Sequence, residues 1–226
     1  LLLYPAAKSD ADFTVPGSVT HIASYAFQGA RHLKTVTAGN LTSIESSAFT
    51  NCEALTSFTA DSLSEVEFQA FYGCSNLETF TLTDADSLTT IGGSAFNRCS
   101  SLTAAPIAGA TSIEEGAFQD CTALTSLSFC ETGNVSIGKN AFSGCTGLTE
   151  LTFPASVTSI GYSAFGGCNQ VTVITFKGET PPTCDSNSFS IGDPNEFHDH
   201  RPHAVRKMLT GMRWAARWAA MWGTRW

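Results

Sequence analysis

LTSIESSAFTNCEALTSFTA, residues 41–60, is one copy of a unit that recurs along most of the chain. An Ala-Phe pair marks seven copies and a Ser-Phe pair an eighth, with the phenylalanines at Phe27, Phe49, Phe71, Phe96, Phe118, Phe142, Phe165 and Phe189. Successive phenylalanines are 22, 22, 25, 22, 24, 23 and 24 residues apart. A period in this range indicates one supersecondary unit per repeat, stacked so that each unit buries its apolar side against its neighbours.

Other columns of the repeat keep the same register. In the quoted copy, Ile44 precedes the phenylalanine by five residues, and Cys52 and Leu55 follow it by three and six. The other six Ala-Phe copies carry Ile or Val, then Cys or Ala, then Leu or Val at these positions. So many coincident columns predict an apolar ladder that runs the length of a stacked array.

The pattern within one copy predicts its local structure. Phe58 and Ala60 alternate with Ser57 and Thr59, which is typical of a short strand with one buried face. Apolar residues at Phe49 and then three and six positions later predict a helical or 3₁₀ turn. We therefore predict an α/β repeat fold, a curved solenoid with a parallel sheet on the concave face and short helical or 3₁₀ turns on the convex face.

Residues 148–168, LTELTFPASVTSIGYSAFGGC, resemble the leucine-rich repeat of the BspA-like class, which is found in bacterial and protozoan surface proteins. The resemblance extends over residues 13 to about 189. It implies a leucine-rich-repeat solenoid, and a protein that is exposed at the cell surface or secreted and takes part in adhesion. Such scaffolds are reused for many partners, so the fold is implied more specifically than the function.

The repeats divide the chain into three parts. Residues 1–12 are a lead-in, interpreted as the end of a preceding repeat, and residues 13–189 form the solenoid, with about seven coils and a degraded eighth. Residues 190–226 are a basic, Trp-rich tail. We interpret the tail as a frame-shifted reading of a C-terminal cap, with a genuine basic amphipathic segment as the alternative.

Charge is distributed unevenly between the body and the tail. Residues 1–197 contain six Lys or Arg against 19 Asp or Glu, while residues 198–226 contain six against one. The acidic body argues against nucleic acid and against an anionic membrane as partners of the solenoid. No apolar run is long enough for a membrane helix, so we expect no membrane insertion by the repeat body. The start of the chain does not resemble a signal peptide, and we expect the targeting and anchoring segments to lie outside this sequence.

Six of the eight cysteines occupy a single repeat column, three residues after the phenylalanine. Stacked residues in one column point the same way and do not face each other as disulfide partners would. We predict buried thiols that serve as small apolar side chains. Cys130 and Cys184 lie outside the column and could be free, paired or exposed. No metal-ligand spacing is present, so neither a metal site nor a cofactor is predicted.

Residues that alternate with the buried strand positions should line the outer face of the predicted sheet. Most are small and hydroxylated, although Ala104 and Pro106 interrupt the rows. They form either an ordinary solvated β surface or an uncharged recognition surface, and an ice-binding face is a remote alternative. The candidate partner-binding residues on this concave face are Thr35, Thr37, Ser57, Thr59, Thr79, Thr81, Ser126, Ser128, Glu150, Thr152 and Thr175.

No constellation for catalysis is evident. His21 and His32 have no repeat-related carboxylate and nucleophile beside them, and no phosphate-binding loop or nucleophile elbow occurs. We therefore predict a non-catalytic protein, and the resemblance to the BspA-like class implies an adhesion module of a microbial cell-surface or secreted protein, with a host or microbial surface or matrix protein as partner. A structural spacer that displays another domain is the alternative, and a glycan-targeting module is a remote one.

Overall fold

The computed structural model describes residues 4–5 and 8–191, in which the chain winds into a solenoid of parallel strands. One four-residue strand from each of the early coils enters a first sheet, in the order β1 (Asp12–Val15), β3 (Thr35–Ala38), β5 (Ser57–Ala60) and β7 (Thr79–Leu82). The same position in two later coils forms a two-stranded third sheet, β11 (Glu150–Phe153) with β13 (Val173–Phe176). The predicted solenoid and its parallel sheet are confirmed.

A second parallel sheet runs along another side of every coil. Its eight strands are short, two to four residues each, and most end on the Ile or Val column. They are β2 (His21–Ile22), β4 (Ser43–Ile44), β6 (Glu65–Val66), β8 (Thr90–Ile91), β9 (Ser112–Ile113), β10 (Val135–Ile137), β12 (Val157–Ile160) and β14 (Thr183–Cys184). The prediction of one strand per coil was therefore incomplete.

The prediction of helical or 3₁₀ turns opposite the first sheet is wrong. The 3₁₀ helix assigned in the described residues, Ala85–Ser87, lies in the enlarged loop between the third and fourth phenylalanines. Around Phe49 the chain makes turns in which Ser47 and Asn51 have φ values of 59° and 57°. Left-handed residues at two positions per coil end any helix before it completes a turn.

Main-chain hydrogen bonds alternate in direction through this segment. The Thr50 and Cys52 amides donate to carbonyls three residues back in the same coil. The Phe49 and Asn51 amides donate instead to Ala70 and to Tyr72 in the next coil, at 2.7 and 2.8 Å. The turns therefore satisfy their own polar groups and join adjacent coils at the same time.

The core is a stack of phenylalanine rings flanked by the aliphatic and cysteine columns. All seven Ala-Phe rings are fully buried, and neighbouring ring centroids lie 4.7 to 5.3 Å apart with nearly parallel planes. Tyr4 stacks on Phe27 at 5.1 Å, and its amide donates to the Ala26 carbonyl as each phenylalanine amide does to the next coil. Tyr4 thus occupies the phenylalanine position of a coil before the first one counted.

Candidate partner-binding surface

The outward-facing residues of the first and third sheets form one surface, here called the hydroxyl face. Strand pairing places Thr35, Ser57 and Thr79 in one row, and Thr37, Thr59 and Thr81 in the next. In the third sheet, Thr152 pairs with Thr175. Adjacent members of a row are therefore about 4.8 Å apart, the spacing of neighbouring strands.

All eleven predicted residues are exposed or half-buried. Nine of them lie in strands of these two sheets, Ser126 forms a bridge to Ala104, and Ser128 lines a depression beside it. Sequence reasoning left out Asp12 and Thr14 of β1, which extend the two rows by one coil. Asp12 is relevant because its Oδ1 accepts a hydrogen bond of 2.6 Å from the Thr35 hydroxyl.

Hydrogen bonding divides the exposed hydroxyl groups into two sets. Of the ten hydroxyl groups among the predicted residues, nine have no hydrogen-bond partner within the described part of the chain, and Thr35 is the exception. Hydroxyls that flank the sheets donate instead to a carbonyl of the preceding coil, as Thr42 does to Thr20 and Thr56 to Lys34, at 3.0 and 3.1 Å. The flanking hydroxyls are used in stacking, whereas those of the hydroxyl face are available to another molecule.

The hydroxyl face is interrupted between β7 and β11. Among the residues that the structure describes, a single bridge, Ala104 with Ser126, continues the ladder there. A depression of about 710 Å³ lies beside the interruption, and Leu127, Ser128, Thr152 and Asp86 are among its lining residues. The interruption divides the hydroxyl face into a larger part on the first sheet and a smaller part on the third sheet.

The column cysteines are buried and free, as predicted. Each thiol also donates a hydrogen bond to the phenylalanine carbonyl of the coil before it, for example Cys121 to Phe96 at 3.1 Å. The thiols thereby link coils, a role that the sequence pattern did not indicate. Burial raises the pKa of Cys121 and raises that of Cys168 to about 12, so these groups remain protonated at neutral pH. Cys130 and Cys184 are free and half-buried.

The histidines and carboxylates make local structural contacts. His21 Nδ1 lies 2.7 Å from the Thr20 hydroxyl. Glu45 and Glu67 accept hydrogen bonds from main-chain amides of the preceding coil. Among residues 4–5 and 8–191, no three His, Cys, Asp or Glu side chains come together as metal ligands would, and no helix is long and apolar enough to cross a membrane. The predicted basic tail lies outside the described residues, apart from its first two positions.

The fold defines the chain as a leucine-rich-repeat solenoid. The family model described as "BspA type Leucine rich repeat region", in six copies, matches residues 7–125 and 111–196. The chain belongs to this family, which confirms the resemblance stated from residues 148–168. A search of curated proteins finds no match.

Solved structures of bacterial leucine-rich-repeat proteins have the same fold. The T. pallidum protein TpLRR is 22% identical with a TM-score of 0.59, over 92% of this chain and 87% of its own. A leucine-rich cell surface protein from Faecalibacterium prausnitzii is 25% identical with a TM-score of 0.53, over 77% of this chain. The matched region is 50% of the F. prausnitzii protein, so the present chain spans about half of that relative.

Proposed function

We propose that the hydroxyl face binds a protein partner, and that the chain is a non-catalytic adhesion module at the surface of, or secreted by, a microbial cell. The observation that carries the proposal is the unused hydrogen-bonding capacity of the face, nine hydroxyl groups that have no partner among residues 4–5 and 8–191. The partner class is a surface or matrix protein of a host or of another microbe. The F. prausnitzii neighbour, described as a cell surface protein, supports this location.

The chemistry of the face favours hydrogen-bonded recognition of a protein. No Lys or Arg and a single carboxylate, Glu150, lie among the eleven residues. Desolvating hydroxyl groups costs far less than desolvating charges, provided that the partner supplies hydrogen bonds in exchange. A sugar ligand is less favoured, because the rows offer no aromatic ring for stacking.

A charge-insertion experiment tests the proposal. Thr79, Ser126 and Thr152 are replaced together by Lys, which places three cations across both parts of the face. The control replaces Gln28, Thr146 and Gln170 by Lys. The side chains of these three residues lie outside the face, are also exposed and have no hydrogen bond in the structure. Binding of full-length protein to intact host cells and to immobilised matrix proteins is measured for the parent and both variants.

We expect saturable binding by the parent and by the control. The face variant should bind at least about tenfold more weakly, a loss of about 1.4 kcal/mol, because an unpaired charge would be buried at the contact. Equal binding by the face variant, with its circular dichroism unchanged, would place recognition elsewhere on the chain. Absence of binding by all three proteins would favour the spacer alternative.

A further inference from the structure

Carboxylates of one coil repeatedly bond to a main-chain amide of the coil before it. Each acid immediately follows a second-sheet strand, and each amide belongs to the second residue after the neighbouring strand. The four cases are Glu45 with Ser24 at 3.0 Å, Glu67 with Ser46 at 3.0 Å, Glu114 with Gly93 at 2.9 Å, and Asp185 with Tyr162 at 3.2 Å. The main-chain amide at this position of the coil therefore binds a carboxylate, which in these four cases is a side chain of the next coil.

At two adjacent coils the equivalent amides are left without that carboxylate. Glu115 and Lys139 occupy the amide position, and the acid position of the next coil is Gly138 or Gly161. Within the described part of the chain, neither amide has a hydrogen-bond acceptor. A Cβ placed on Gly138 would lie 2.8 Å from the Glu115 nitrogen, and one on Gly161 would lie 2.7 Å from that of Lys139. Each glycine thus packs against the peptide group that carries the amide, so closely that no side chain fits there.

These two amides border an open groove of about 560 Å³ on the second sheet. Ser136 and Ser159 line it together with Gly138, Gly161 and Lys139. Phe68 has the same position in an earlier coil and also lacks a carboxylate, but the glycine opposite it, Gly92, is buried. Access from solvent therefore distinguishes the Glu115 and Lys139 amides from the Phe68 amide.

We infer that this groove binds a carboxylate group, seated on the main-chain amides of Glu115 and Lys139. The amides lie on neighbouring coils, about 4.8 Å apart, so that each oxygen of one carboxylate can accept one of them. The Lys139 ammonium supplies a third donor, comparable to the Ser24 and Ser46 hydroxyls, which bond to the carboxylates of Glu45 and Glu67. The inference is independent of the hydroxyl face and goes beyond the proposed function.

The charged side chains around the groove determine how its affinity for a carboxylate should change on mutation. The Lys139 ammonium is held by Glu115 at 2.9 Å, and both side chains are more than half exposed. Glu114 and Asp185 also border the groove, and they oppose a further anion. Neutralising Glu115 should therefore strengthen carboxylate binding, because it removes a like charge and releases the ammonium.

The test is a titration of the full-length protein with acetate, followed by amide resonances in ¹H–¹⁵N spectra at constant ionic strength. Glu115 and Lys139 should shift together and saturate at one dissociation constant. Ser24 and Ser46, whose amides already bond to carboxylates and which lie outside the groove, are internal controls and should not shift. Glu115→Gln should bind acetate about two- to fivefold more tightly, and Lys139→Ala about two- to fivefold more weakly, the range expected for an exposed charge.

Two N-acetylated peptides distinguish the sources of the carboxylate. One carries a single internal Glu and an amidated C-terminus, and the other is uncharged except for a free C-terminus. Tighter binding of either peptide than of acetate assigns that source, and equal binding of all three probes assigns a free small carboxylate. The inference is overturned if the Glu115 and Lys139 amides do not respond to any probe, if Ser24 and Ser46 respond equally, or if Glu115→Gln weakens binding.

Discussion

Replacing Phe118 by leucine tests whether the ring stack holds neighbouring coils together. Phe118 is fully buried, and its ring lies 5.2 Å from that of Phe96 and 5.3 Å from that of Phe142, with interplanar angles of 2° and 3°. Leucine keeps most of the apolar volume but removes both aromatic contacts. A stacked pair contributes about 0.5 to 1.5 kcal/mol beyond its buried area, so the substitution should cost about 1 to 3 kcal/mol.

A double-mutant cycle separates this contact energy from the general loss of packing. Phe96→Leu and Phe118→Leu share one ring contact, so their combined cost should fall short of the sum of the single costs by about 0.5 to 1.5 kcal/mol. Phe118→Leu combined with Phe49→Leu is the matched control, because Phe71 and Phe96 lie between the two rings and neither contacts both. That pair should be additive within about 0.5 kcal/mol.

Urea unfolding followed by circular dichroism measures these free energies, provided that the m value is unchanged between variants. The nearest-neighbour description requires coupling in the adjacent pair and additivity in the separated pair. If both cycles are additive, the rings fill space without stabilising each other, and the reasoning is refuted.

Two further predictions concern the thiol column. The six column cysteines should react with a thiol reagent only after unfolding, whereas Cys130 and Cys184 are half-buried and account for any fast reaction of the native protein. Fast reaction of more than two thiols, counted by absorbance, would contradict the buried column. Stability should also fall as the pH rises above about 9, because burial raises the pKa of Cys168 from 9.0 to about 12 and the unfolded state therefore loses its proton first. The loss from this thiol is about 1.4 kcal/mol per pH unit between those values, and urea titrations of Cys168→Ala should show a correspondingly smaller dependence on pH.

The core could be predicted from sequence because a fixed period determines which residues face inward. Ile44, Phe49, Leu55 and Phe58 are all fully buried, as their columns require. The placement of the hydroxyl face follows from the same argument, since strand residues alternate between the two sides of a sheet. Whether that face binds a partner does not follow from periodicity and stays a prediction, as does the curvature of the solenoid.

The turns were predicted wrongly because the spacing of Phe49, Cys52 and Leu55 fits a helix as well as a series of tight turns. The distinguishing signal lies two residues after each phenylalanine, where Gly, Asn or Asp occurs in six of the seven Ala-Phe copies. These residues accept positive φ most readily, and all seven positions have it. The second sheet was missed for a different reason, because strands as short as two residues cannot show an alternating pattern.

The carboxylate groove lay beyond sequence reasoning because it is made by main-chain amides. Equivalent amides in four other coils bond to a carboxylate. This comparison shows that the Glu115 and Lys139 amides, which have no such partner in the described part of the chain, are unusual. The column that follows the second-sheet strands contains Ala, Glu, Glu, Gly, Glu, Gly, Gly and Asp in chain order, and its acids and glycines reflect this arrangement in the sequence. The column can be interpreted only once the structure shows that each acid side chain bonds to a main-chain amide of the preceding coil.

Thr37 and Thr42 show what kind of partner the hydroxyl face can accept. Both are exposed, but the Thr42 hydroxyl already donates to the Thr20 carbonyl, while that of Thr37 has no partner in the described part of the chain. An apolar partner pressed against the face would leave such groups buried and unsatisfied, at about 1 to 3 kcal/mol each. For the nine hydroxyls without a partner in the described part of the chain, this cost sums to about 9 to 27 kcal/mol, as much as or more than the net binding free energy of about 8 to 12 kcal/mol of a micromolar to nanomolar complex. A partner must therefore present hydrogen-bonding groups along the rows at intervals near 4.8 Å, as an extended main chain or a regular polar surface does.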